Sequence, residues 1–349
     1  MLQLAANRFG YGLRPGDPES GDGRAYLHGQ LKAFQPRPAP IAPSPDRAEI
    51  TRQIGDFIEA AREDRMVRRQ ATRMEQPGDD DGIPKSARRY LRRSIVEQYA
   101  VMVAARTEAA VTSPAPFAER LVHFWANHFA VSADKPQVIG MAGLLEFEAI
   151  RPNLMGRFAD MLIAVEQHPA MLMYLDQWQS IGPDSVAAKY VARRGQKRGL
   201  NENLAREILE LHTLGVDGGY SQADVTELAR ALTGWTVAGL VRGPAARALG
   251  GGTPGNFQFA ELIHQPGERY ILGRRYGQPG LNQARSVLLA LAAHPSTARH
   301  LATKLARHFA GDDPPKAMID RLAAAYMKSG GDLPAVYRAI IDSPEAWVP

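Results

Sequence analysis

The 349-residue chain contains no cysteine. Disulfides, thiolate metal centres and cysteine nucleophiles are therefore excluded, and any metal ligand has to come from His, Asp or Glu. No run of about 18 apolar residues occurs, so no transmembrane helix is expected. The opening MLQLAANRFGYGLRPGD lacks the basic-then-apolar order of a secretory signal, and on that reading nothing directs export. Serine nucleophile elbows, phosphate-binding loops and dinucleotide fingerprints are missing too; GLNENLA and LGGGTPGN fail the required glycine spacing. ATP and NAD chemistry is thereby disfavoured.

Acidic residues are in slight deficit, 37 against 42 Lys and Arg, for a formal net charge of +5. A cation surplus suits phosphate backbones, but here the charges are mixed. Arg65, Arg68, Arg69 and Arg73 sit among Glu63, Asp64 and Glu75, and the run KSARRYLRRS (Lys85 to Ser94) precedes an apolar helix. Interspersed charge of this kind reads as solvated helix faces, with a basic docking face for an acidic ligand or protein as the alternative. Nucleic acid ranks third among the partners considered.

Residues 36–46, PRPAPIAPSPD, are too proline-rich for helix or sheet and predict an extended surface linker. Breaks follow at 75–84 and 243–256. Elsewhere, apolar residues at i, i+3 and i+4 predict helices near 47–75, 86–112, 116–130, 139–150, 153–167, 169–176, 202–214, 222–233, 281–292, 295–309, 315–328 and 332–342. Only 235–243, 256–262 and 269–276 read as extended. The expected fold is mainly α, one multi-helical domain over 1–349 with a small antiparallel β insertion at 236–276.

The stretch NENLAREILELHTLGVDGGY (201–220) is dense in polar chemistry. At about 100° per residue from Asn203, Glu207 falls near 40°, Glu210 near −20° and Arg206 near −60°, so all four share a face. Leu204, Ile208, Leu209 and Leu211 lie opposite, and His212, near 180°, points inward among them. In PFAERLVHFWANHFAVS (116–132), Glu119, Arg120 and Asn127 group around His123, whereas His128 falls near 140°, between Phe124 and Trp125. Two inward histidines near the ends of separate helices are the least ordinary feature of the spacing.

Three roles fit His128 and His212. Each can donate to a backbone carbonyl or a carboxylate and stiffen packing. Together they can act in a shared cleft as general base and orienting partner, with a carboxylate such as Glu207 nearby. With Asp or Glu they can hold a divalent zinc, manganese or iron ion, although no H-E-x-x-H pattern occurs. Elsewhere, Ser221 with Asp224 predicts a helix cap rather than a calcium loop. His300, Lys304 and His308 form an i, i+4, i+8 basic stripe that reads as solvated, with phosphate or an acidic partner as the sharper alternative.

The segments LAANRFGYGLRPG, ERLVHFWANHFAVS, HPAMLMYLDQWQS, GLNENLAREILELHTLGVDGGYSQADVTELARALTGWT, YILGRRY and HPSTARHLATKLARHFAGDDPP together resemble the bacterial family known as domain of unknown function 1800, from residue 4 almost to the C-terminus. The resemblance implies no particular activity. It does imply a partner, since members are often encoded beside a second family, domain of unknown function 1501, and an extracytoplasmic setting, since many are exported. Similar members usually continue past DSPEAW (Asp342 to Trp347) with further helical sequence.

The functional expectation is an enzyme with a His/carboxylate cleft between helices 116–130 and 202–214. Hydrolysis would use His212 or His128 as general base and Glu207 or Glu202 as acid or metal ligand. Asn203 and Arg206 would hold an anionic or carbonyl substrate, with Asn127, Trp235 and His264 completing the lining. A non-catalytic scaffold that docks a 1501-family protein is the second expectation, and a basic-face nucleic-acid binder the third.

Overall fold

Apolar spacing carries through to structure almost element by element. The computed structural model describes residues 1–17, 20–71, 95–192, 199–240 and 249–348. The acidic break at 75–84, the basic run Lys85–Ser94 and the first part of the 243–256 break lie outside them. The protein is mainly α. Its helices are α1 (Leu2–Phe9), α2 (Gly23–Ala33), α3 (Arg47–Ala71), α4 (Val96–Thr112), α5 (Pro116–His128), α6 (Pro136–Leu145), α7 (Phe158–Glu166), α8 (Pro169–Tyr174), α9 (Val186–Ala192) and α10 (Asn203–Glu207). After them come α11 (Gln222–Leu232), α12 (Leu281–Ala292), α13 (Pro295–Ala310), α14 (Lys316–Ser329) and α15 (Leu333–Asp342). Both α6 and α10 run on into π-helical turns, Glu146–Ile150 and Ile208–His212.

Two N-terminal helices escape the expected set for a physical reason. α1 is only eight residues long, too short for its buried Leu2, Ala5, Ala6 and Phe9 to repeat, and in α2 the buried positions Gly23, Leu27 and Gln30 mute the stripe. Other helices start as their sequences dictate. Ser221 and Asp224 form a reciprocal capping box on α11. At α8 and α13 the cap is a histidine: Nδ1 of His168 accepts the N–H of Ala170 at 3.2 Å, and Nδ1 of His294 that of Ser296 at 3.1 Å. Pro169 and Pro295 follow at the first helical position, where no N–H is needed.

Strands fall within the expected extended runs but are short. β1 (Trp235–Val237) pairs antiparallel with β2 (Phe257–Phe259), and β3 (Arg269–Ile271) with β4 (Arg274–Tyr276). Residues 38–44 coil in turns rather than running extended, with the N–H groups of Ile41 and Ala42 both donating to the Pro38 carbonyl and Ile41 buried. The buried guanidinium of Arg151 donates to the carbonyls of Pro36 (2.9 Å) and Gln35 (3.3 Å), fastening this proline stretch. One hydrophobic cluster includes residues from Ala5 to Trp347. Within it Trp125 donates its indole N–H to Tyr337 Oη at 2.7 Å, joining α5 to α15.

Candidate active site

Helix α5 ends on His128, and its apolar side carries that ring into the core. The route to His212 is less regular. At Glu207 the α-helical backbone of α10 widens into the π turn, which rotates the residues that follow. Leu211, expected on the apolar side, is 44% exposed, and His212 is buried. Such turns are rare and occur often at functional sites.

The two imidazoles lie 6.0 Å apart, centroid to centroid. They meet through the backbone: His128 Nε2–H donates to the His212 carbonyl at 3.1 Å. His128 Nδ1 accepts from Lys304 Nζ at 2.8 Å, so the ring is a neutral tautomer with both nitrogens committed. Burial first, and then the Lys304 ammonium, hold its pKa well below the usual imidazole range. Burial also lowers the pKa of Lys304.

His212 has a different partner. Its Nδ1–H donates to Glu166 Oε1 at 2.7 Å, and the two side chains are 4% and 0% exposed. Glu166 Oε2 is buried without a partner. His212 Nε2 has no hydrogen-bond partner among the described residues. Phe129 meets both imidazoles edge-on, at 4.5 Å and 5.1 Å. His300 Nε2–H donates to the Leu211 carbonyl at 3.0 Å. The stripe on α13 therefore faces protein rather than solvent: His300 holds Leu211, Lys304 holds His128, and His308 Nε2 accepts from Arg120 at 3.3 Å.

The other expected residues do not make hydrogen bonds to this pair. Glu202 accepts from Thr226 Oγ1 at 2.7 Å and Gln222 Nε2 at 2.8 Å. Arg206 donates to Gln222 Oε1 at 2.8 Å and Glu210 Oε1 at 3.2 Å. These bonds tie α10 to α11 at the surface. Asn203 and Asn127 are exposed, and half-buried Glu207 makes no side-chain hydrogen bond among the described residues. Trp235 is wholly buried, edge-on to Phe257 at 5.3 Å. His264 is buried and donates Nδ1–H to the Thr233 carbonyl at 2.7 Å, closing the end of α11. Both rings are thus packed in the interior, as those of His128 and His212 are.

Glu166 is the residue that sequence reasoning missed. Its signal is present in FADMLIAVE, where the buried positions Phe158, Met161, Leu162, Val165 and Glu166 follow i, i+3, i+4, i+7 and i+8, so a carboxylate ends an apolar stripe. For a metal, no three His, Asp or Glu side chains converge among the described residues. His128 has no nitrogen left to offer one. No helix among them is long and apolar enough to cross a membrane.

Fold and site together define a mainly α-helical protein with an interior histidine–carboxylate pair. The chain belongs to the family described as "Protein of unknown function (DUF1800)", whose model matches residues 4–349. Comparison with curated proteins and with solved structures gave no match.

Proposed function

We propose that the protein is a hydrolytic enzyme in which Glu166 orients His212 and His212 Nε2 serves as general base towards water or a hydroxyl. The observation that carries this reading is the buried 2.7 Å bond from His212 Nδ1–H to Glu166, with Nε2 uncommitted. A carboxylate on Nδ1–H fixes the tautomer that leaves a lone pair on Nε2, and it stabilises the imidazolium formed on proton uptake. The bond from His128 to the His212 carbonyl holds the last residue of the π turn in place. Lys304 sets a cation against His128, the ring neighbouring His212, suited to negative charge developing on a substrate oxygen. The acid role expected of Glu207 or Glu202 passes to no residue here; Glu166 replaces them as the carboxylate partner.

Diethyl pyrocarbonate, which acylates imidazole nitrogens bearing a free lone pair, tests the assignment without knowledge of the substrate. Peptide mapping is expected to find His212 modified in the native protein and His128 spared. If His212 resists as His128 does and reacts only after unfolding, it is no general base.

A second reading has its own observation. His128, His264 and His300 are each tied to a backbone carbonyl, which is how packing histidines behave. In that reading the protein is a non-catalytic scaffold, and the surface of α10 bearing Glu202, Asn203 and Arg206 docks a protein partner such as a 1501-family member.

A further inference from the structure

The side of α5 that carries His123 bears a second polar cluster, distinct from the Glu166–His212 pair. The loop after α1 turns back over α5 at Gly12, whose φ of +93° is strained for other residues. Two arginines clamp it. Arg120 donates to the carbonyls of Arg8 and Gly10, and Arg14 Nη1 donates to those of Val111 (3.0 Å) and Ser113 (2.9 Å). The clamped loop sets Tyr11 Oη 2.7 Å from His123 Nδ1. Tyr11 is 49% exposed, so the pair opens to solvent.

Two buried atoms of this cluster are left without a hydrogen bond. One is His123 Nε2; the other is Glu146 Oε1, which stands 3.8 Å from Arg151 Nη1 in an ion pair while the other oxygen of the carboxylate accepts from Arg106 Nε. Arg151 is itself fully buried and doubly bonded to Glu119, at 2.7 Å on each contact. Glu146 opens one π turn, as His212 closes another. Buried polar atoms without partners are rare in folded proteins, and an absent ligand or water is one physical reason for them. Three guanidinium groups, of Arg106, Arg120 and Arg151, face two carboxylates, of Glu119 and Glu146, around Tyr11 and His123. The charges that act on His123 are cationic, Arg106 and then Arg151, which favours an anion beside that ring, whereas on Tyr11 the Glu119 carboxylate acts more strongly than either Arg106 or Arg120.

We propose that Tyr11, His123 and Arg106 form a binding site for a small oxyanion, the carboxylate or phosphate group of a ligand. A phenol donating to Nδ1 leaves the imidazole proton on Nε2, an N–H aimed at no protein acceptor. The guanidinium of Arg106, partly exposed, supplies charge-assisted donors beside it. Burial pushes the Tyr11 hydroxyl up to about 12 and the His123 imidazole down to about 4, so near neutral pH both are uncharged; Tyr11 gives its one proton to Nδ1, and the Nε2–H of His123 is the donor left for a ligand.

Histidine-labelled protein, followed by NMR, is titrated separately with inorganic phosphate and with acetate, and with sodium chloride at matched ionic strength. The expected result is a saturable shift of the His123 resonances with an oxyanion and none with chloride, while His212 stays unmoved. Tighter binding of phosphate marks a phosphoryl ligand, and tighter binding of acetate a carboxylate. Arg106→Gln is expected to weaken binding about tenfold, the equivalent of one hydrogen bond to the ligand, and Tyr11→Phe by a similar factor through loss of the bond that keeps the His123 proton on Nε2. Tyr11→Phe removes only a hydroxyl, so it carries the test should Arg106→Gln, which orphans Glu146, fail to fold. No saturable shift with either oxyanion, or undiminished affinity in Tyr11→Phe, overturns the proposal.

Discussion

Residues 202–207 and 208–212 adjoin in sequence and live in different surroundings. The first group faces α11 and solvent, where Glu202, Arg206, Gln222 and Thr226 satisfy one another. The second passes through a π turn that carries His212 into the core against Glu166. Chemistry crowded in a sequence is thus not chemistry gathered in space. One widened turn separates a surface tie between helices from an interior acid–base pair.

The sharpest way to break this contrast is to remove one member of each group. His212→Ala is expected to lower any hydrolytic activity by about a hundredfold or more, far beyond its cost in stability, and Glu166→Gln to lower it in the same sense. Assays of both variants beside denaturant melts check this; equal losses of activity and stability would make the pair a packing feature. Arg151→Met supplies the purely structural control. It leaves Glu119 buried and unpaired, which costs about 3–5 kcal/mol on a urea titration, while His212 keeps its reactivity.

Protons sharpen the contrast next. His128 and His168, buried, hold pKa values below the usual range, and His123 and His308 are lowered to about 4, chiefly by burial. Each therefore binds a proton more readily in the unfolded chain, whose histidines titrate near about 6.5. Stability is then fully present above about pH 6.5 and is lost as pH falls towards the folded values. Thermal melts across this window should show the loss, and His128→Gln should flatten it. The smallest effect belongs to the surface: Arg206→Ala should cost under about 1 kcal/mol and leave His212 modification unchanged.

Much of the fold was legible because leucine, valine and isoleucine recur at three- and four-residue spacing through α7, α11, α12 and α15. Where the stripe is short, as in the eight residues of α1, or is filled by glycine and glutamine, as in α2, that signal fades. A helical wheel sends His128 and His212 inward, and both are buried, yet it places Leu211 beside them because it has no π turn. Partners are a different matter. Glu166 and Lys304 come to the histidines from α7 and α13, and no local spacing ties those segments to residues 128 or 212. His264 stands in sequence on a connection between two extended runs, and its burial is a property of the tertiary structure.

Nitrogen-15 NMR of the His212 ring reads the proposed arrangement most directly. A proton is expected on Nδ1, shifted downfield by its carboxylate and losing that shift in Glu166→Gln, with the lone pair of the neutral ring on Nε2. A ring protonated on Nε2 instead, or a spectrum indifferent to Glu166→Gln, would contradict it.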